Sequence, residues 1–286
     1  MQRMALFVHT GKARALAVAQ EVAPLLRQAG IEVVTDATTA QALPNLGQLA
    51  TVAELAQADA ALVLGGDGML LQAARDLAGA GVPILGVNLG HLGFLTEVEP
   101  NELVWALPQL LRGDFHIEER MMADVVVCRT GVPVAEYRVL NDAVISRGTF
   151  ARLVTLEALV DDSTLGVFVG DGLILATPTG STAYSLSAGG PIVHPGVDGI
   201  LVTPICPHTL GERSVLTRGE DTVRVLVKSP VEPDELVLTV DGRPGLRLVS
   251  GDEVRVSRSR VRVRLIRLAQ RTFYDVLAMR LHSADC

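Results

Sequence analysis

The chain has 286 residues with 25 basic and 32 acidic side chains, a net charge of −7. That balance lacks the basic face of a general nucleic-acid or anionic-membrane binder, and at about 150 residues per domain the length suits two domains. With 49% apolar, 20% charged and only 3% aromatic residues, the chain is not disordered and builds its cores from Leu, Val, Ile and Ala.

The first third alternates strand and helix signals. Residues 5–8 read as a buried strand, and residues 13–29 place Leu16, Ala19, Ala23 and Leu26 on one helical face that ends at Gly30. Strands follow at 31–34 and 60–64, a helix at about 69–78, and a further strand at 82–87. Short apolar strands without alternation, separated by helices, indicate a parallel sheet of Rossmann-like type covered on both faces. After about residue 115, β-branched runs recur at 123–129, 134–140, 152–160, 172–176, 222–228, 235–240, 245–249, 253–258 and 261–268. Turn residues such as Asp241-Gly242 separate them, so the second domain reads as all-β with one helix near 182–189. The division expected is 1–115 for the α/β domain and 116–267 for the β-rich one, with 268–286 packing back on the first.

Three segments carry chemistry. Leu62–Met69 runs from a buried strand into Gly65-Gly66-Asp67-Gly68 and a helix start. Glycines let the backbone approach a phosphate without a Cβ in the way, the helix start offers free N–H groups, and Asp67 sits at the carboxyl end of a strand, where open α/β sheets place ligands. A plain Asp-Gly turn is the competing account. Asp171–Pro191 runs a strand into a dense cluster of hydroxyls and closes on Gly189-Gly190-Pro191. Ser181 or Thr182 is placed to cap the short helix, the other hydroxyls and amides suit an uncharged polar ligand such as a ribose, and Tyr184 is a candidate to stack on an adenine. In Leu140–Ile145, Asn141 and Asp142 stand adjacent at a strand start and either face a ligand or form an Asx turn, which is the commoner arrangement.

Rival motifs fail. Gly11-Lys12 has no glycine among Leu6–Thr10, so it is not a P-loop. Neither Gly66-Asp67-Gly68 nor Gly170-Asp171-Gly172 has the third glycine of the dinucleotide fingerprint, and no GxSxG elbow exists. The six histidines show no metal-ligand spacing. Cys128, Cys206 and Cys286 are odd in number and far apart, which argues against a disulfide framework. The apolar run Ala5–Val8 is too short for a signal-peptide core, and no stretch approaches the roughly 20 apolar residues of a membrane span. A cytoplasmic protein without a membrane or nucleic-acid partner is the expectation.

Gly65–Gly68, Asn141-Asp142 and Asp171–Pro191, with Asn88–Leu95 and Pro204–Leu210 in support, together resemble the NAD kinase family. The likeness spans about residues 60–245 in family order. It implies an N-terminal α/β domain, a C-terminal β-rich domain, and transfer of the terminal phosphoryl group of ATP, or of polyphosphate, to the 2′-hydroxyl of the adenosine ribose of NAD, giving NADP. A divalent cation, usually Mg²⁺, and a homodimer or homotetramer are implied with it. By position, Asp67 falls on the general base, with Asp142 as an alternative. Gly65, Gly66 and Gly68 fall on the phosphate-donor loop. Asp67, Gly68, Asn141, Asp142, Arg152, Asp171, Thr182, Ala183, Tyr184, Ser185 and Ser187 fall on NAD-contacting positions. Val169 stands where many relatives carry a basic residue, and Arg243 where Gln is frequent. A related kinase of a lipid or sugar phosphate, or a non-catalytic dinucleotide sensor, is the alternative reading.

Overall fold

The computed structural model describes residues 1–90, 93–148, 153–209, 211–228, 236–268 and 271–282. The chain divides into two compact units, one formed by residues 1–119 with the chain's end from Arg262 onward, the other by Arg120–Val261.

Unit 1 runs β1 (Arg3–Val8), α1 (Ala13–Gln28), β2 (Glu32–Thr35), α2 (Ala37–Ala42), β3 (Gln48–Leu49), α3 (Val52–Leu55), β4 (Ala60–Gly65), α4 (Asp67–Leu77), β5 (Ile84–Asn88) and α5 (Leu103–Arg112). The strands pair in parallel in the order β5-β4-β1-β2-β3. All six residues of β4 and all five of β5 are buried, as strands covered on both faces require, which is why their sequences are apolar without alternation. Helix α1 buries Ala15, Val18, Ala19, Val22, Ala23 and Leu26, a single stripe at helical spacing. The chain's last helix, α7 (Phe273–His282), also belongs to this unit.

The strands that follow α5 are β6 (His116–Arg129), β7 (Val132–Val139), β8 (Asp142–Arg147), β9 (Val154–Val160), β10 (Ser163–Gly170), β11 (Gly172–Ala176), β12 (Leu201–Ile205), β13 (Val215–Leu216), β14 (Val223–Val227), β15 (Leu236–Val240), β16 (Arg243–Arg247) and β17 (Glu253–Arg267), with α6 (Tyr184–Ser187) after β11. In unit 2 one antiparallel sheet has the order β13-β12-β11-β8-β15-β16, and another runs β10-β9-β14-β17. Ala143, Ile145, Leu173 and Leu175 face a core shared with Val154, Leu156, Val223, Val225 and Val254. The alternate residues Val144, Ile174 and Ala176 face a second cluster with Val193, Leu201 and Ile205. Strands β8 and β11 are therefore buried on both sides.

Several elements differ from the sequence expectation, each for a local reason. Strand β12 was not expected because it contains Pro204, but β13 pairs only with Leu201 and Val202. On that side Pro204 lies beyond the ladder, where a missing N–H costs nothing. Helix α5 carries an internal Pro108 that disguises its buried stripe of Leu103, Ala106, Leu107 and Leu110. Strand β10 contains Gly166 next to a register shift, whereas β8 begins at the Asn-Asp pair, where a strand start was expected. The runs 253–258 and 261–268 are one strand, β17. The helix expected at 182–189 is a 3₁₀ turn, Thr179–Thr182, followed by the four-residue α6.

Gly172 decides how closely β11 approaches β8. A Cβ there would lie 2.1 Å from the Ile145 carbonyl oxygen, inside any real contact. Gly172→Ala is expected to lower stability by about 1–3 kcal/mol, the cost of forcing atoms into a filled interior, read as a shift of the urea midpoint at unchanged slope.

Candidate active site

In unit 1 the paired ends of β4 and β5 carry the first cluster. Gly65 closes β4 opposite Asn88, Gly66 is extended at φ −158° and ψ −169°, and Asp67 is the first residue of α4. The helix thus starts two residues earlier than its apolar pattern suggests. A Cβ on Gly65 would meet the Met69 side chain at 2.7 Å, so the first turn of α4 packs back over it, whereas a Cβ on Gly66 or Gly68 would meet nothing within 4 Å. The chain's own packing does not require glycine at 66 or 68, and the space above them is open to a ligand.

The Asp67 side chain leans toward the segment after β5. Its Oδ2 accepts the Phe94 N–H at 2.9 Å, and its Oδ1 accepts those of Leu95 at 3.2 Å and Thr96 at 3.3 Å. Gly93 makes this seat possible, since a Cβ there would stand 2.0 Å from Oδ1. Oδ1 serves two donors and Oδ2 only one, so Oδ2 keeps a lone pair for another partner. Nearby, Leu89 donates its N–H to the Gly65 carbonyl at 2.6 Å, and Lys12, the only lysine of unit 1, donates to the Leu89 carbonyl at 3.5 Å. In the sequence Gly93 stood out only within Asn88–Leu95, in support of the family resemblance, and Lys12 only in the failed P-loop pattern; neither pointed to the seat of Asp67.

In unit 2 the Asn141-Asp142 pair and the hydroxyl-rich turn are brought together. Thr177 donates its N–H to the Asn141 carbonyl at 2.8 Å and its hydroxyl to the Leu140 carbonyl at 2.5 Å. Gly180 lies against the Asn141 carbonyl so tightly that a Cβ would approach to 2.1 Å. The pair is oriented by Asp241, whose carboxylate accepts the N–H groups of Leu140 at 3.0 Å, Asn141 at 2.7 Å and Asp142 at 3.2 Å. Asp241 and Gly242 both have positive φ, 46° and 72°, the tight hairpin turn that Asp-Gly favours. Asp241 reads in the sequence as a turn residue, so its grip on the neighbouring strand start was not foreseen.

Asp142 is only 5% exposed. Burial, followed by the negative charge of Asp241, pushes its pKa from 3.8 up to about 7, because both disfavour the charged form.

A cavity of about 250 Å³ is lined by Ser146, Arg147, Gly148, Asp171, Tyr184 and Ile205. Asp171 is paired there with Arg147 through Nε–Oδ1 at 2.6 Å, and Tyr184 is 47% exposed. Asp171 and Tyr184 thus share one cavity, and Arg147 is a lining cation that the sequence did not single out. Thr182, Ala183 and Ser187 flank Tyr184 without lining the cavity. The expected cap is corrected: neither Ser181 nor Thr182 caps α6. Ser181 Oγ donates to the Pro178 carbonyl at 2.7 Å and accepts the Val193 N–H at 2.9 Å, while Thr182 donates to the Thr179 carbonyl at 3.3 Å. Ser185 is fully buried with its hydroxyl on Thr203 at 2.9 Å. Arg152 lies outside the described residues, as do His91, Leu92 and Leu210.

Residues 4–115 match the family model for the ATP-NAD kinase N-terminal domain, and residues 140–268 match that for the ATP-NAD kinase C-terminal domain. The NAD kinase of Moorella thermoacetica is 45% identical over 281 residues, 98% of this chain and 89% of that one. The NAD kinase of Syntrophotalea carbinolica is 41% identical over 282 residues, 98% of each chain. Among solved structures, yeast NADH kinase complexed with NADH superposes with a TM-score of 0.89 at 24% identity, covering 99% of this chain and 88% of that one. An NAD kinase from Archaeoglobus fulgidus in complex with ATP gives 0.75 at 21% identity, covering 99% of each. These two show a shared fold.

The raised pKa of Asp142 makes stability depend on pH. A carboxyl whose folded pKa exceeds its ordinary value stabilises below that value, and the contribution is lost as pH climbs from about 4 toward 7. Asp142→Asn cannot ionise. Its stability relative to the parent chain is expected to improve between pH 4 and pH 8, by up to a few kcal/mol at about 1.4 kcal/mol per pH unit. Urea unfolding of both proteins across that range checks this.

Proposed function

This chain belongs to the NAD kinase family, and from that premise we propose that it transfers the terminal phosphoryl group of ATP to the 2′-hydroxyl of the adenosine ribose of NAD, giving NADP. The observation that carries the reading within the site is the seat of Asp67. A carboxylate stands at the head of a strand-to-helix turn, oriented by three N–H groups, with one lone pair to spare and open space over the adjoining glycines.

A ribose hydroxyl is a poor nucleophile at neutral pH. In this reading Asp67 Oδ2 accepts the 2′-hydroxyl proton as the oxygen bonds to the γ-phosphorus. The bond from that phosphorus to the β,γ-bridging oxygen breaks, ADP leaves, and the proton returns to solvent from Asp67. General-base help of this kind is worth roughly 10²–10⁴-fold. The rest of phosphoryl transfer is alignment and charge neutralisation. The start of α4 and the bare backbone at Gly66 and Gly68 suit an incoming phosphate. In unit 2 the cavity with Tyr184 and the Arg147–Asp171 pair suits the adenine ring, and Asn141 with the neighbouring hydroxyls suits ribose oxygens.

No group of three His, Cys, Asp or Glu side chains among the described residues forms a metal cage. Mg²⁺ is commonly held by substrate phosphates and water with one or two carboxylates. Bound in that way it would neutralise charge on the donor phosphates. No helix among the described residues is long and apolar enough to cross a membrane. A homodimer or homotetramer in the cytoplasm belongs to the same reading, and light scattering after size exclusion tests the assembly.

With ATP, Mg²⁺ and NAD, the protein is expected to form NADP, measured alongside polyphosphate as a second donor. Asp67→Asn should lower kcat by about 10²–10⁴-fold while NAD still binds; near-parental turnover removes Asp67 from the proton-accepting role. Tyr184→Ala should weaken NAD binding about tenfold, the loss of one stacked ring. An unchanged dissociation constant by calorimetry would remove the stacking contact.

A further inference from the structure

The three N–H groups that hold Asp67 belong to a short segment, Phe94–Thr96, that is itself gripped from behind. Arg267, at the end of β17, donates through Nη1 to Glu97 Oε2 at 2.9 Å and to the Leu95 carbonyl at 3.3 Å, and through Nε to Glu118 Oε2 at 2.5 Å. The other Glu97 oxygen accepts the Leu268 N–H at 3.0 Å, and the Glu97 N–H donates to the Gly86 carbonyl at 2.9 Å. The Arg267 and Glu97 side chains are 11% and 5% exposed. One guanidinium therefore touches the carbonyl of the residue whose N–H touches Asp67. The ring of Phe94 is also covered, by Phe273 at 6.2 Å between centroids and by the Arg280 guanidinium at 5.3 Å.

A buried ion pair is weak evidence for stability, since a well-packed apolar replacement is often neutral or better. What it offers here is geometry. Three successive N–H groups converge on one carboxylate only in a narrow range of backbone conformations, and Arg267 contacts that backbone directly. We propose that Arg267 and Glu97 are positioning residues for Asp67: their buried pair fixes the Phe94–Thr96 backbone and so aims the carboxylate at the hydroxyl it deprotonates. The inference rests on the proton-accepting role given to Asp67 above. It also gives the chain's C-terminal portion a part in turnover, because Arg267 and Leu268 bring the far end of the sequence onto the segment after β5.

The test places Arg267→Met, Arg267→Lys and Glu97→Gln in the parent chain and in Asp67→Asn. Arg267→Met and Glu97→Gln are each expected to lower kcat about 10- to 100-fold, the order expected when a reacting group is misplaced by an ångström. KM for NAD and for ATP should stay within about threefold, since no binding contact is removed. Arg267→Lys should recover part of the loss, and amide exchange at Phe94–Thr96 should quicken in Arg267→Met. In the Asp67→Asn background, Arg267→Met should cost nothing further, because a residue acting through Asp67 has nothing left to aim. Losses that multiply in the double variant, or KM rising with kcat unchanged, would overturn the proposal. Should Arg267→Met fail to fold, Arg267→Lys decides: parental kcat with parental exchange at Phe94–Thr96 overturns it. Full turnover in Asp67→Asn alone would instead strike the proton-accepting reading, and the two failures are read from different variants.

Discussion

One carboxylate satisfied by three consecutive backbone N–H groups is the contact on which the β4–α4 end of unit 1 depends. The segment after β5 turns away from the sheet, so its N–H groups lose the ladder and need other acceptors. Asp67 supplies two oxygens for the three of them. The same bonds fix the carboxylate's direction, which is what the proposed proton-accepting role requires. Gly93 follows as a necessity, because any side chain there would occupy the space of Oδ1.

Unit 2 uses the same device for a different end. Asp241, on a hairpin turn with positive φ, accepts the N–H groups of Leu140, Asn141 and Asp142, and so presents the Asn-Asp pair from the start of β8. The consequence for charge differs. Burial, and after it the nearby negative charge of Asp241, pushes the Asp142 pKa up to about 7. The cavity beside Tyr184, by contrast, holds an acid already matched by Arg147.

Much of this was readable in advance wherever the signal was local. The apolar runs of β1 and β4, the stripe of α1 and the Gly65–Gly68 turn depend on neighbours within a few positions, and they stand where the pattern puts them. Elements whose acceptability depends on a distant partner were missed. Pro204 is tolerated in β12 because β13 is too short to reach it. Among the hydroxyls, residue type gave no way to tell Ser185, turned inward onto Thr203, from Tyr184, turned outward into a cavity. Helical spacing sets that difference only once the helix has a sheet to lie against.

The order of residues settles the alternation of strand and helix, the shift to an all-β pattern, and the presence of an aspartate between glycines at a strand's tip, since each follows from spacing, side-chain shape and backbone freedom over a dozen positions. The partners of that aspartate are another matter. Asp67 meets residues 94–96, Asp241 meets 140–142, and Arg267 meets Glu97 across 170 positions of chain. Such contacts depend on which backbone groups the packed sheets leave unpaired and facing one another, and that is a property of the folded arrangement in space.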